Sequence, residues 1–115
     1  MSKPSKNNSS NSLLAGAAKT DITPPLGTFI NGDFVAHYAV YIHDNLYAKA
    51  LVLEQDKTTI AMIVVDICVM PKEFVDEVKA AITKQTGILF QNILISSTHT
   101  HAAGSVASVY HMLLP

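Results

Sequence analysis

The run Ile60-Ala61-Met62-Ile63-Val64-Val65 carries six apolar residues without a polar alternation and is closed by Asp66. A strand with one face in water alternates apolar and polar side chains, so an unbroken run of this length predicts a strand covered on both faces. A helix follows. Pro71 suits a first helical turn and Gly87 a C-terminal stop. Between them Phe74, Val75, Val78, Ala81 and Ile82 fall on one stripe, the spacing of an amphipathic helix. Glu73, Asp76 and Glu77 lie near its start and Lys79 and Lys84 later, in accord with the helix dipole. A second short apolar strand, Asn92 to Ser96, comes after it. Strand, helix, strand at these lengths is a βαβ unit, whose crossover is right-handed in nearly all cases. The two strands are therefore expected to be parallel neighbours, with the helix packed across them.

Upstream, Ala48 to Leu53 and Thr59 to Val65 flank the turn residues Gln55-Asp56-Lys57-Thr58, which predicts a β-hairpin. Leu13 to Ile22 reads as a further strand, ended by Thr23-Pro24-Pro25, because paired prolines break both a ladder and a helix. Phe29 to Ile42 has no sustained period and reads as a surface loop. Its aromatic residues Phe29, Phe34, Tyr38 and Tyr41 either line a pocket or pack the loop down. Ser105 to Pro115 resembles the opening of another helix. The fold class is α/β: a mixed sheet in which a β-hairpin is followed by a right-handed βαβ unit.

Composition removes several classes of function. The first twelve residues are rich in Ser, Asn and Lys without an apolar core. They are expected to form a flexible leader and do not have the pattern of a signal peptide. Residues 13–115 then form the folded portion. With 8 basic and 9 acidic residues and a formal charge of −1, the chain lacks the basic footprint of a nucleic-acid partner. No apolar run approaches the length of a transmembrane helix. The single Cys68 sits in an apolar stretch with no basic neighbour in sequence to lower its pKa, as in a buried, inert thiol.

The chemistry concentrates at the end of the last strand, in Ser96-Ser97-Thr98-His99-Thr100-His101. Two residues separated by one in an extended segment project to the same side, about 6.6 Å apart along the chain. Imidazole is the commonest metal ligand among side chains, and a zinc ion with nitrogen ligands at about 2.0 to 2.1 Å can draw such a pair together. The alternative is a polar strand end whose histidines hydrogen-bond their neighbours. Parallel strands place Asp66 and His99 at the same sheet edge, where open α/β sheets bind ligands. Asp66 is either a turn-capping carboxylate or a group that orients an imidazole. His37 and His111 have no partner in sequence, and His43-Asp44 reads as a surface pair.

Three blocks of the sequence resemble one known family. Ala15-Gly16-Ala17-Ala18-Lys19-Thr20-Asp21-Ile22-Thr23-Pro24-Pro25-Leu26-Gly27 is similar to the opening signature of the neutral/alkaline (non-lysosomal) ceramidases. Ile42-His43-Asp44-Asn45-Leu46-Tyr47-Ala48-Lys49-Ala50-Leu51-Val52-Leu53 resembles the strand that follows in bacterial members, and Ile93 to His101 resembles the histidine motif. The blocks occur in the family's order and span Leu13 to about His101. Family ceramidases continue with a Ser-Gly-Pro-like stretch where this chain has Ala102-Ala103-Gly104-Ser105.

The resemblance implies a zinc-dependent amidase acting on the N-acyl bond of ceramide or a related lipid amide. It makes His99 a zinc ligand and gives His101 a role beside the metal, in stabilising the transition state or relaying a proton. Further ligands, a histidine, a glutamate and a tyrosine, are expected from downstream sequence in a larger catalytic domain, of which residues 13–115 form the N-terminal portion. The family is often exported. A competing expectation is a non-catalytic α/β module in which Asp66, His99 and His101 form a hydrogen-bonded cluster and the aromatic loop 29–41 binds a partner.

Overall fold

The computed structural model describes residues 12–33 and 35–106. The leader up to residue 11, Phe34, and all but the first two residues of the expected C-terminal helix lie outside the described residues.

The elements run β1 (Leu14–Asp21), β2 (Phe29–Ile30), β3 (His37–Tyr38), β4 (Tyr47–Gln55), β5 (Thr58–Val65), α1 (Lys72–Thr86) and β6 (Ile93–Ser97), with a 3₁₀ turn at Phe90–Asn92 before β6. Strands β1, β4, β5 and β6 form one sheet in that order. β4 and β5 form the expected antiparallel hairpin, tight from Gln55 opposite Thr58 to Ala48 opposite Val65. Asp56 occupies the left-handed region (φ 54) at its turn, a conformation that Asp tolerates better than most residues. β1 adds to the outside of β4 antiparallel, from Leu14 opposite Glu54 to Asp21 opposite Tyr47. β5 and β6 pair in parallel, Ala61 with Ile93 through Val65 with Ser97. The sheet is therefore mixed, and α1 connects its two parallel strands.

Helix α1 begins after Pro71 and ends on Gly87, whose φ of 77 completes the left-handed stop that glycine adopts without a Cβ penalty. Phe74, Val75 and Val78 face Ile63, Val65 and Ile95 of the sheet across an apolar space of about 440 Å³. Ile82 is half-buried with them, whereas Ala81 is exposed. The apolar stripe is thus narrower than its spacing suggests. The most buried side chains among the described residues are Ala61, Ile67, Cys68, Ile93 and Ala103. Ala61 and Ile93 are partners across the parallel pair, and the other three lie in the connections beyond the strand ends.

Two findings differ from the sequence reading. The unbroken apolar run of β5 does supply two apolar faces, but α1 covers one. On the other, Leu51, Ile60, Val64 and Leu94 are 39%, 37%, 41% and 60% exposed. The segment 29–42 is not wholly irregular either. β2 and β3 pair antiparallel, Phe29 with Tyr38 and Ile30 with His37, and the Phe29 and Tyr38 rings meet edge-on at 5.9 Å. Pairs this short carry no periodic signal, so only the aromatic contact marks them.

Candidate metal centre

Beyond the C-terminal ends of β5 and β6 the parallel pairing continues for two more bonds. The Thr98 N–H donates to the Val65 carbonyl at 3.0 Å and the His99 N–H to the Ile67 carbonyl at 3.1 Å. These bonds hold His99 against the chain leaving β5, with its backbone at φ 62. A left-handed conformation is uncommon for a residue with a Cβ, and such residues cluster at functional sites.

The His99 ring is fixed by the same connection. Its Nδ1 lies 2.9 Å from the Cys68 carbonyl oxygen, which can only accept, so Nδ1 carries the proton. The Ser97 hydroxyl donates to the same carbonyl at 3.1 Å. In the neutral ring Nε2 then presents a lone pair. A backbone carbonyl that fixes the tautomer in this way is the usual support of a metal-ligating histidine. The His101 ring meets that of His99 edge-on, 4.9 Å between centroids and 85° between planes.

Cys68 completes the group. It is 3% exposed, and its Sγ lies 3.6 Å from His99 Nδ1. One donor atom each from Cys68, His99 and His101 falls within 4.8 Å of the others, the thiol buried and the imidazoles exposed. Imidazole and thiolate donors together suit zinc.

The loop after β2 approaches this group through a glycine. Gly32 has φ +108, and a Cβ there would lie 2.9 Å from His101 Cγ, 3.0 Å from Cys68 Sγ and 3.1 Å from His101 Nδ1. Asn31 ties the loop down: its N–H donates to the Ala103 carbonyl at 2.9 Å, and its side-chain oxygen accepts from the Gly32 N–H at 2.8 Å. A Cβ at Gly104 would likewise approach the Thr28 methyl to 3.1 Å. Two glycines therefore let loop 28–32 and segment 101–104 run against each other. On its outer side His101 borders a groove of about 480 Å³ that it shares with Ile30, Tyr38, Val40 and Tyr41. The aromatic loop thus forms one wall beside His101.

Asp66 stands at the end of β5 with its carboxylate turned to β4. Its Oδ2 accepts from the Tyr47 N–H at 2.9 Å, and its own N–H donates to the Tyr47 carbonyl at 2.9 Å. It also borders the apolar space under α1. Of the other histidines, His37 pairs with Asp33 at 3.1 Å and His43 with Asp44 at 2.8 Å on the open surface.

Cys68 and Gly32 were not legible as site residues. Extending the parallel register past Val65 and Ser97 brings Ile67 level with His99 and Cys68 next to it, and this was the available signal for the cysteine. Gly32 carries none beyond the turn chemistry of Asn31-Gly32.

Comparison with known proteins gives a consistent family. By structure, the chain is similar to neutral ceramidase from Pseudomonas aeruginosa, with a TM-score of 0.71 and 20% identity over 83% of this chain and 16% of that one. It is also similar to a ceramidase complexed with C2, with a TM-score of 0.67 and 19% identity over the same shares. At this identity the likeness speaks for the fold, and the chain spans about one-sixth of the length of these structures. A search by sequence among curated proteins finds no match. The family described as neutral/alkaline non-lysosomal ceramidase, N-terminal, matches residues 13–115. The mixed sheet, its parallel edge and the match across nearly the whole sequence lead to one conclusion: the chain belongs to the neutral/alkaline non-lysosomal ceramidase family.

Proposed function

We propose that residues 13–115 form the N-terminal portion of a zinc-dependent hydrolase that cleaves an amide bond, ceramidase-like in acting on an N-acyl sphingosine or a related lipid amide. The observation that carries this reading is the bond from His99 Nδ1 to the Cys68 carbonyl. In the neutral ring this bond leaves the Nε2 lone pair free, held in a fixed orientation at the sheet edge where α/β folds bind ligands.

His99 is assigned as a zinc ligand through Nε2, and further ligands are expected from downstream sequence. Zinc bound there would supply Lewis-acid chemistry, bringing the pKa of a water molecule to about 7. His101, next to His99 and open to the groove, is placed to donate a hydrogen bond to the oxygen of an amide carbonyl as charge develops on it, or to relay a proton to the leaving nitrogen. Asp66 acts at one remove. By pinning the end of β5 to Tyr47 it fixes the path of Ile67 and Cys68, whose carbonyls hold the His99 backbone and ring. It is a positioning residue in this reading. The apolar wall of Ile30, Tyr38, Val40 and Tyr41 suits the hydrocarbon part of a lipid amide, whose burial is favourable in proportion to area.

The test is zinc content and N-acylsphingosine hydrolysis, measured on the protein carrying this segment. His99→Ala should lose both. His101→Ala should keep zinc and lose about 10²–10³-fold in kcat, the effect of removing one oxyanion donor. Full activity in His99→Ala, or after complete removal of zinc, would contradict the reading.

A further inference from the structure

We infer that Ser97 is a positioning residue for the metal-binding nitrogen of His99, acting through the Cys68 carbonyl that both side chains share. The inference rests on the zinc reading of His99 and carries it one residue further from the metal.

Along β6, alternation puts Ile93, Ile95 and Ser97 on the face toward α1 and Leu94 and Ser96 on the open one. Ile93 is buried, Ile95 and Ser97 are half-buried, and Leu94 and Ser96 are exposed. The inward row therefore turns polar at its last position, and a hydroxyl held inside needs a partner. Ser97 finds it in the Cys68 carbonyl at 3.1 Å, the same oxygen that accepts from His99 Nδ1 at 2.9 Å. A carbonyl oxygen has two lone pairs, so these two donors use its full capacity.

The two donors are not equal anchors. Ser97 lies in the parallel ladder opposite Val65, and the Thr98 N–H continues that ladder to the Val65 carbonyl. The Ser97 backbone is thus fixed, whereas the His99 ring is exposed. Cys68 lies past the end of β5, in a connection that belongs to neither strand nor helix. The ladder-held hydroxyl therefore sets the direction of the Cys68 carbonyl. That carbonyl in turn sets which nitrogen of His99 keeps its proton. Without the hydroxyl the peptide is free to turn and Nδ1–H loses its acceptor. Part of the population then takes the other neutral tautomer, in which Nδ1 has given its proton to solvent and Nε2 has taken one up. That ring has no lone pair at Nε2 for a metal.

The test compares Ser97→Thr, which keeps the hydroxyl, with Ser97→Val, which has the same branched shape without it. Both side chains suit a strand. Ser97→Ala supplies a smaller variant lacking the hydroxyl, and circular dichroism checks the fold of each. The 115-residue chain, isotope-labelled at histidine, is observed by NMR free of metal at about pH 8.5, well above the ordinary imidazole pKa. His99→Gln identifies the His99 ring signals. Wild type and Ser97→Thr should hold the proton on Nδ1, whereas Ser97→Val and Ser97→Ala should show both tautomers. Zinc affinity, measured on the protein carrying this segment by competition with a chromophoric chelator, should fall about three- to tenfold in the same two variants, the worth of one ordinary hydrogen bond. It should be unchanged in Ser97→Thr and in the open-face control Ser96→Ala. A His99 proton that stays on Nδ1 in Ser97→Val and Ser97→Ala would overturn the role of Ser97 and leave the zinc reading of His99 intact, even if both variants unfold earlier, the mark of a structural role alone. A wild-type ring protonated on Nε2 would overturn the two together.

Discussion

A methyl group added at Gly32 and one added at Gly16 meet opposite surroundings. At Gly32 it strikes His101 and Cys68 on a backbone at φ +108, whereas at Gly16, in β1, nothing lies within 4 Å. Gly32→Ala is expected to destabilise the fold by about 1–3 kcal/mol, the scale of a strained backbone position. Gly16→Ala should be neutral or stabilising by up to about 1 kcal/mol, because glycine within a strand has excess freedom to lose on folding. Urea unfolding of the two variants gives the comparison. Equal effects would mean that loop 28–32 does not press on the histidine segment. At this scale the histidines announced themselves by spacing and by the strand before them. Cys68 and Gly32 did not, because each reaches the site through a long-range approach that no local pattern records.

The β1–β4 edge is held at one corner by a carboxylate. Asp21 accepts from the Thr23 N–H at 2.8 Å and from the Asn45 amide at 2.8 Å, while the Thr23 hydroxyl accepts from the Leu46 N–H at 2.9 Å. Hydrogen bonds from the Thr23 side chain and backbone, with a smaller one from Asn45, hold the Asp21 carboxyl below its ordinary pKa. A carboxylate whose folded pKa is depressed adds stability above its unfolded pKa and loses it as pH falls through the folded value. Thermal stability should therefore decline on acidification through and below the ordinary carboxylate range, and Asp21→Asn should show a shallower decline. Identical acid profiles would remove Asp21 from the account. The elements were the most legible level of this chain. β5 and β6 follow from short apolar runs, β4 from the turn residues after it, α1 from its apolar stripe with a Pro start and a Gly stop, and β1 from the prolines that end it. The β2–β3 pair escaped because two residues per strand are too few to show a period.

For the molecule as a whole, the sheet divides into a face under α1 and a face of Leu51, Ile60, Val64 and Leu94 that nothing covers among the described residues. An apolar strip of this kind marks a surface that another layer of protein is suited to cover. The 115-residue chain should accordingly bind the dye ANS and associate with itself. Leu94→Lys, on the most exposed of the four, should reduce both without loss of secondary structure by circular dichroism. Undiminished dye binding in that variant would locate the apolar surface elsewhere, for instance in the space under α1. This is also where reading the sequence reached furthest and fell short. The run from Ile60 to Val65 predicted cover on both faces, and pattern alone does not say which segment supplies each cover.

The zinc assignment of His99 carries the functional account, and zinc-edge anomalous scattering from crystals of the protein grown with zinc addresses it directly. The account predicts a single strong peak about 2.0–2.1 Å from His99 Nε2, with Nδ1 still bonded to the Cys68 carbonyl. A zinc peak beyond bonding distance of His99, or one bound through Nδ1 with the carbonyl bond broken, would contradict it.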